Sequence, residues 1–297
     1  MSLRVTFDIF SGRPNPFIVI EGNDAAALMP KLRSTSKLSG AQAKPPVESV
    51  LGYRGLIIEQ IGPSSSADLP ARVRIAGGKA YAPGLAYVVQ ESAIEELVFA
   101  KAEALKSPDL SPELLGLIRT EAKQPGVAKA APSTTKTSSP SPGPALPCRC
   151  APLYEPNWWN DAGQKQLHNN CYNYACNYRT DSFAQPGRAN GGRITQVTCA
   201  GVSPLVLGDS LLSSQPTKNP KCPPEGHLVA LVLWPGWDFH FYRLGRDALW
   251  SHKPGNWPVT NLDNSGHLIT NPINADRGRY TTFCSFMVVM NGHVRIA

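Results

Sequence analysis

The chain has 297 residues, about two domains' worth and long enough to bury a core without metal or disulfide staples. A composition of 42% hydrophobic and 17% charged residues, with 28 Pro and 25 Gly, excludes a coiled coil and favours many turns and short strands. The longest uninterrupted apolar run, Leu228 to Trp234, falls far short of a membrane span, and Met1-Ser-Leu-Arg-Val opens without an apolar signal core. No membrane span and no standard export signal are therefore expected. The net charge of +7 favours loose attraction to anionic surfaces, but its Lys and Arg are scattered, so no nucleic-acid partner is expected.

In chain order, Leu3 to Phe10 alternates apolar and polar residues and Phe17–Glu21 follows a tight loop, which reads as a hairpin. The loop, Ser11-Gly-Arg-Pro-Asn-Pro16, reads either as a rigid Gly-Pro-Pro turn with Arg13 exposed or as a binding feature. A capped helix is expected from Asn23 to about Ser34, strands at Gly55 to Gly62 and Ala71 to Ile75, and helices at Ser92 to Leu105 and Ser111 to Ala122. This half, residues 1–122, is a small α+β domain. No nucleophile pairs with a base inside it, so it is read as a recognition or delivery domain. Residues 123–147 carry six prolines among small polar residues, the composition of a disordered, semi-rigid linker.

All seven cysteines (148, 150, 171, 176, 199, 222 and 284) follow that linker, in residues 148–297. The odd number allows up to three bridges and one free thiol, with Cys148 or Cys150 tied to Cys199, Cys222 or Cys284. A zinc site is not expected, because Cys148-Arg-Cys150 has no second close ligand pair. No phosphate loop, dinucleotide fingerprint or Gly-x-Ser-x-Gly elbow occurs, and no cofactor is expected.

Cys171 lies in Gln166-Leu-His-Asn-Asn-Cys-Tyr-Asn-Tyr174, where polar, turn-prone residues precede a helix expected to run two to three turns towards Gln185-Pro-Gly187. At such a helix start the free N–H groups favour the thiolate. Downstream, Pro224 to Trp234, Asp238 to Leu244 and Leu249 to His252 read as a three-strand antiparallel meander. A turn centred on Arg246 sets His240 opposite His252 on one face.

The order of a helix-start Cys, a Gly-x-Leu-Val strand, a His strand and a polar residue twelve positions later resembles the NlpC-like branch of papain-fold cysteine peptidases and amidases. The matching pieces are Asn170-Cys171, Glu225-Gly-His-Leu-Val229, His240-Phe-Tyr-Arg-Leu-Gly245 and Trp250-Ser-His252. They cover most of residues 150–256. The chain departs from that family's Asp-Cys-Ser-Gly opening, having Asn-Cys-Tyr-Asn. A fainter resemblance is to cysteine-dependent deamidase toxins of bacterial secretion systems, for which Asp276 is the candidate acid.

These resemblances imply a papain-like domain, a nucleophile helix packed on an antiparallel sheet, that hydrolyses amide bonds as a peptidase, cell-wall peptide amidase or deamidase. Cys171 is the nucleophile, His240 the base and either His252 or Asp276 the orienter. The oxyanion falls to the Cys171 N–H and the side chain of Gln166 or Gln164. The substrate is expected to be a protein or peptide, peptidoglycan peptide included. Release would be by secretion or by injection through a route independent of a signal peptide, with an immunity protein or secretion machinery as further partners; the alternative is a cytoplasmic location. The alternative is an inactive papain-like module that binds carbohydrate or protein through a face of Trp158, Trp159, Trp234, Trp237, Trp250 and Trp257.

Overall fold

The structure, a computed structural model, describes residues 1–32, 36–38, 50–62, 70–82, 85–123, 148–214 and 220–297. It is mixed α+β and falls into two compact units. The first comprises Met1–Ile9, Asn15–Val47 and Gly52–Ala128, and the second Phe10–Pro14, Glu48–Leu51 and Lys129–Ala297. The division is therefore not one cut in a linker, because two short pieces of the first half belong to the second unit. The expected linker lies outside the described residues from position 124 onwards.

In the first unit β1 (Ser2–Phe7) and β2 (Phe17–Glu21) form the expected hairpin, and α1 (Gly22–Leu32) follows. The end of the helix expected towards Ser34 lies outside the described residues. Then come β3 (Ser36–Lys37), β4 (Leu56–Ile61), β5 (Arg72–Ala76), β6 (Lys79–Ala82), β7 (Leu85–Val88), α2 (Glu91–Leu105) and α3 (Pro112–Lys123). The strands form an antiparallel sheet in the order β2-β1-β4-β5-β6-β7-β3. Leu3, Val5 and Phe7 of β1 are buried, as are Ile94, Val98 and Phe99 of α2 and Leu114, Leu115 and Ile118 of α3. The sequence reading passed over β6 and β7. Their neighbour Gly77-Gly78, with both φ positive (58° and 74°), is a two-residue hairpin turn between Ala76 and Lys79. Beneath the β1–β2 hairpin the buried Asp8 carboxylate takes hydrogen bonds from Arg54, Arg74 and Asn15, and the Asn15 side chain accepts from the Ile9 N–H. These contacts fix the stem of the Ser11–Pro16 loop.

In the second unit four helices, α4 (Pro156–Trp159), α5 (Gln164–His168), α6 (Cys171–Ala175) and α7 (Cys199–Gly208), precede most of the strands. The strands are β8 (Leu212–Ser213), β9 (His227–Trp234), β10 (Asp238–Leu244), β11 (Trp250–His252) and β12 (Thr282–Val289), in the order β11-β10-β9-β12-β8. Both β9 and β10 are buried along their whole length, β9 as its unbroken apolar run Leu228 to Trp234 requires, β10 with the polar residues Asp238, His240 and Arg243 among its apolar ones. Val229, Leu231 and Leu233 of β9 and Phe239 and Phe241 of β10 share a core with Cys171, Tyr172 and Ala175 of α6.

α6 has five residues, not the two to three turns expected. Asn177 adopts a left-handed φ of 50°, and the Tyr178 N–H bonds back to the Asn173 carbonyl, which ends the helix. The meander has the expected strands but not the expected register. The β10–β11 ladder pairs Tyr242 with His252, centring the connection on Asp247 instead of Arg246. Ala248, at φ 63°, and the Gly245 N–H bond to the Leu249 carbonyl close a longer turn. His240 thus stands diagonal to His252, on the same face.

Two disulfides are formed, Cys148–Cys222 and Cys199–Cys284, each with Cα atoms 5.4 Å apart. The first is among the expected pairings. The second joins two cysteines that had each been paired with Cys148 or Cys150. Cys150 is free and exposed, while Cys171 and Cys176 are free and buried. No helix among the described residues is long and apolar enough to cross a membrane.

Candidate active site: a histidine relay capped by a loop

Three asparagines prepare the site. The Asn170 side chain caps α6, accepting from the Tyr172 and Asn173 N–H groups, while Asn173 returns the bond by accepting from the Asn170 N–H. Asn169 holds the following loop by accepting from the Thr180 and Asp181 N–H groups. Asn169, Asn170 and Asn173 are fully buried, so their donors and acceptors must be matched inside the protein. The turn-prone run of the sequence is therefore an internal scaffold that fixes Cys171 at the start of α6.

β11 stops at His252, which leaves an edge of β10 open next to it. The Cys171 Sγ meets that edge, 4.0 Å from the Phe239 carbonyl oxygen. Burial, the largest influence, pushes the Cys171 thiol up, as does the charge of Asp238. The Phe241 N–H, the Ser11 hydroxyl and Lys253 oppose the shift. This corrects the expectation of a thiolate favoured at a helix start: one short turn of helix supplies little dipole, and desolvation prevails.

The two histidines form a directed chain. His252 Nε2 lies 3.0 Å from the Leu262 carbonyl oxygen, which can only accept, so that nitrogen carries the proton. Burial drops the His252 pKa to about 4, which keeps the ring neutral and leaves Nδ1 as an acceptor. His240 Nε2, 2.8 Å away, donates to it, and in the neutral form of that ring Nδ1 keeps a lone pair. One backbone carbonyl thus sets both tautomers. The partner of that lone pair is the Ser11 hydroxyl, at 2.5 Å, which also accepts from the Gly255 N–H at 3.3 Å. His240 borders Tyr242 and Tyr280, whereas its neighbours Phe239 and Phe241 point to the other face, into the core that contains Cys171. Ser11 lies beside both the thiol and the imidazole.

Ser11 arrives with its loop. The Asp238 carboxylate, fully buried at the start of β10, accepts from the Ser11 (2.5 Å), Gly12 (3.1 Å) and Arg13 (2.8 Å) N–H groups and from the Tyr280 hydroxyl (2.5 Å). The Gly12 carbonyl accepts from Asn170 Nδ2 at 2.8 Å and from Gln185 Nε2 at 2.7 Å. Arg13 is half-buried and donates to the Trp237 carbonyl at 2.7 Å, which corrects its reading as an exposed turn residue. Ser11 belongs to residues 1–122, read from the sequence as a recognition or delivery domain. A hydroxyl from the first hairpin reaches the proposed base, more than two hundred positions along the chain.

The remaining predicted residues lie elsewhere. Asp276 is exposed, accepting from the Ser265 hydroxyl at 2.5 Å and the Gly278 N–H, and it takes no part in the relay, where His252 stands. Asp263 is an Asx-turn residue that accepts from Ser265 and His267 N–H groups, as its Asn/Ser/Gly surroundings predict. The Gln166 amide accepts from the Ala162 N–H and donates to the Asn256 carbonyl, and Gln164 is exposed. The amides gathered near α6 are instead those of Asn170 and Gln185. The proposed tryptophan face is not a face: Trp159, Trp234, Trp250 and Trp257 are buried, and of the six only Trp158 is well exposed. Sequence reasoning missed Ser11, Asp238, Gln185 and Lys253. Only the unusual Ser-Gly-Arg-Pro-Asn-Pro loop could have drawn attention to the first. Among the described residues no group of three or more His, Cys, Asp or Glu is placed to hold a metal ion.

Compared with known proteins, the chain is similar to insoluble matrix shell protein 1 of Ruditapes philippinarum, with 43% identity over 141 residues, which are 47% of this chain and 91% of that protein. No family model matches the chain, and no solved structure matches it.

Proposed function

This chain belongs to the family of insoluble matrix shell protein 1, and from that premise we propose that it is an extracellular, disulfide-bonded protein whose second unit is a papain-like thiol hydrolase of amide bonds. The observation that carries the reading is the Leu262–His252–His240 relay, which leaves an imidazole lone pair beside the Ser11 hydroxyl that also touches the Cys171 thiol. A histidine aimed in this way stands where a general base must stand.

In the working form, with Ser11 withdrawn and the His240 ring turned to the β10 edge that Cys171 meets, His240 Nδ1 takes the thiol proton and Cys171 Sγ bonds to the amide carbon. The amide C–N bond then breaks as the proton passes to the leaving amine, and water releases the acyl group. His252 holds the His240 ring and receives its Nε2–H. With Ser11 in place the lone pair is already used, and burial holds the thiol in its protonated form, so the described conformation is a closed one.

Incubation of the whole chain with peptide substrates, followed by mass spectrometry, tests this. Hydrolysis should fall by roughly a thousandfold or more in both Cys171→Ala and His240→Ala. Equal turnover in wild type and Cys171→Ala refutes it. The second reading is a non-catalytic matrix component in which the relay is a buried hydrogen-bond network. The complete burial of Cys171 and His240 and the description of the relative favour it. It predicts no thiol-dependent turnover under any condition that leaves the protein folded.

A further inference from the structure

The loop Ser11-Gly12-Arg13 is held as a bound peptide is held. Its three successive N–H groups point at one carboxylate, Asp238, and the Gly12 carbonyl is gripped by two side-chain amides, Asn170 and Gln185. Asn170 immediately precedes Cys171. The Gly12 site has no room for a side chain: a Cβ there would lie 2.4 Å from both the Phe239 carbonyl oxygen and its ring. The Arg13 guanidinium caps the arrangement on the Trp237 carbonyl and lies 5.5 Å from the centre of the Phe10 ring. Most of these contacts are made to the backbone of the loop, so a separate peptide of similar sequence can make them too.

We propose that this is the substrate seat of the thiol site, that it takes an extended peptide with glycine at the residue whose carbonyl Asn170 and Gln185 hold and a basic residue next to it, and that the chain's own Ser11-Gly12-Arg13 fills the seat as a built-in competitor. The proposal rests on the hydrolase reading for its chemistry, since a seat beside Cys171 has catalytic meaning only if Cys171 reacts. The hydroxyl of Ser11 adds a second block by taking the His240 lone pair. Access to the thiol then requires departure of one loop and leaves the sheet intact.

Alkylation of Cys171 by iodoacetamide in the full-length chain, read by peptide mass spectrometry, tests the proposal. In wild type the rate should depend only weakly on urea below the unfolding transition, the signature of local opening. A dependence as steep as that of global unfolding overturns it. Gly12→Ala, whose Cβ drives the loop off Phe239, should raise the rate by about tenfold or more, if local opening limits access. A free Phe-Ser-Gly-Arg peptide should suppress that gain, and the same peptide with alanine for glycine should not. Unchanged labelling in folded Gly12→Ala, or no protection by the glycine peptide, overturns the proposal. If that variant does not fold, the urea dependence of wild type decides alone. Protection by a peptide that is never cleaved supports the seat and refutes the hydrolase reading, so the two fail separately.

Discussion

At the scale of single residues, the second unit buries polar side chains around the site, among them Asn169, Asn170, Asn173, Asp238, His240 and His252. Asn170 accepts two backbone N–H groups and donates to the Gly12 and Ala184 carbonyls, using its whole amide. His252 and His227 are buried neutral bases, each with its pKa lowered to about 4 chiefly by desolvation. A base whose folded pKa lies below its unfolded value contributes stability that is complete above about pH 6.5 and is lost as the pH falls towards 4, because the unfolded chain binds the proton first. Buried carboxylates act in the opposite sense: Glu95, raised to about 7 by desolvation, and Asp238, also raised, bind protons more readily in the folded state. The test must therefore be specific to the site. In an NMR titration the imidazole protons of His252 and His227 should stay flat from pH 8 to about 5. A midpoint near 6.5 for His252 would show that burial does not depress it, and one well above 7 would show its ring to be charged at neutral pH and would remove the tautomer argument.

At the scale of elements, α6 is too short to hold itself and depends on its cap. A five-residue helix gains little from propagation, so its geometry comes from the Asn170–Asn173 capping box and from Tyr172 and Tyr174. Tyr172 stacks on Phe241 and donates to Asp209, while the Tyr174 ring carries the Arg243 guanidinium at 3.9 Å and its hydroxyl meets Ser251 at 2.6 Å. Asn170→Ala removes the cap and leaves buried N–H and carbonyl groups unmatched, so urea denaturation should show a loss of about 2–3 kcal/mol. A loss below about 0.5 kcal/mol would place the strength of this corner elsewhere. The short β11 matters in the same way, because its end at His252 frees the β10 edge that Cys171 approaches.

At the scale of the whole molecule, the two bridges overlap in sequence: Cys148–Cys222 spans 74 positions and Cys199–Cys284 spans 85. The second ties the start of α7 to β12, next to the central β9. In the chain-entropy description a loop of that length contributes about 4–5 kcal/mol by restricting the unfolded chain. Cys199→Ser with Cys284→Ser should lower the melting temperature of the second unit by several degrees in scanning calorimetry. An unchanged transition would mean that the bridge is not formed.

Much of this could be read from the residues in order. Alternation in Leu3 to Phe10 with the short strand Phe17 to Glu21 after a tight loop announced the first hairpin, the unbroken apolar run Leu228 to Trp234 announced a buried strand, and the spacing of His240 and His252 announced neighbouring imidazoles on one face. Local periodicity encodes such things because burial of one face acts within a few residues. The register, by contrast, depended on the backbone of Gly245 to Ala248, where one left-handed residue moved the centre of the turn. Tertiary structure alone decided that Ser11 meets His240, that Asp238 gathers the N–H groups of a loop from the first hairpin, and that burial pushes the Cys171 thiol up. These are contacts between positions far apart in the chain and effects of desolvation. Neither leaves a local pattern in the sequence, since each depends on which surfaces are excluded from water once the chain has closed.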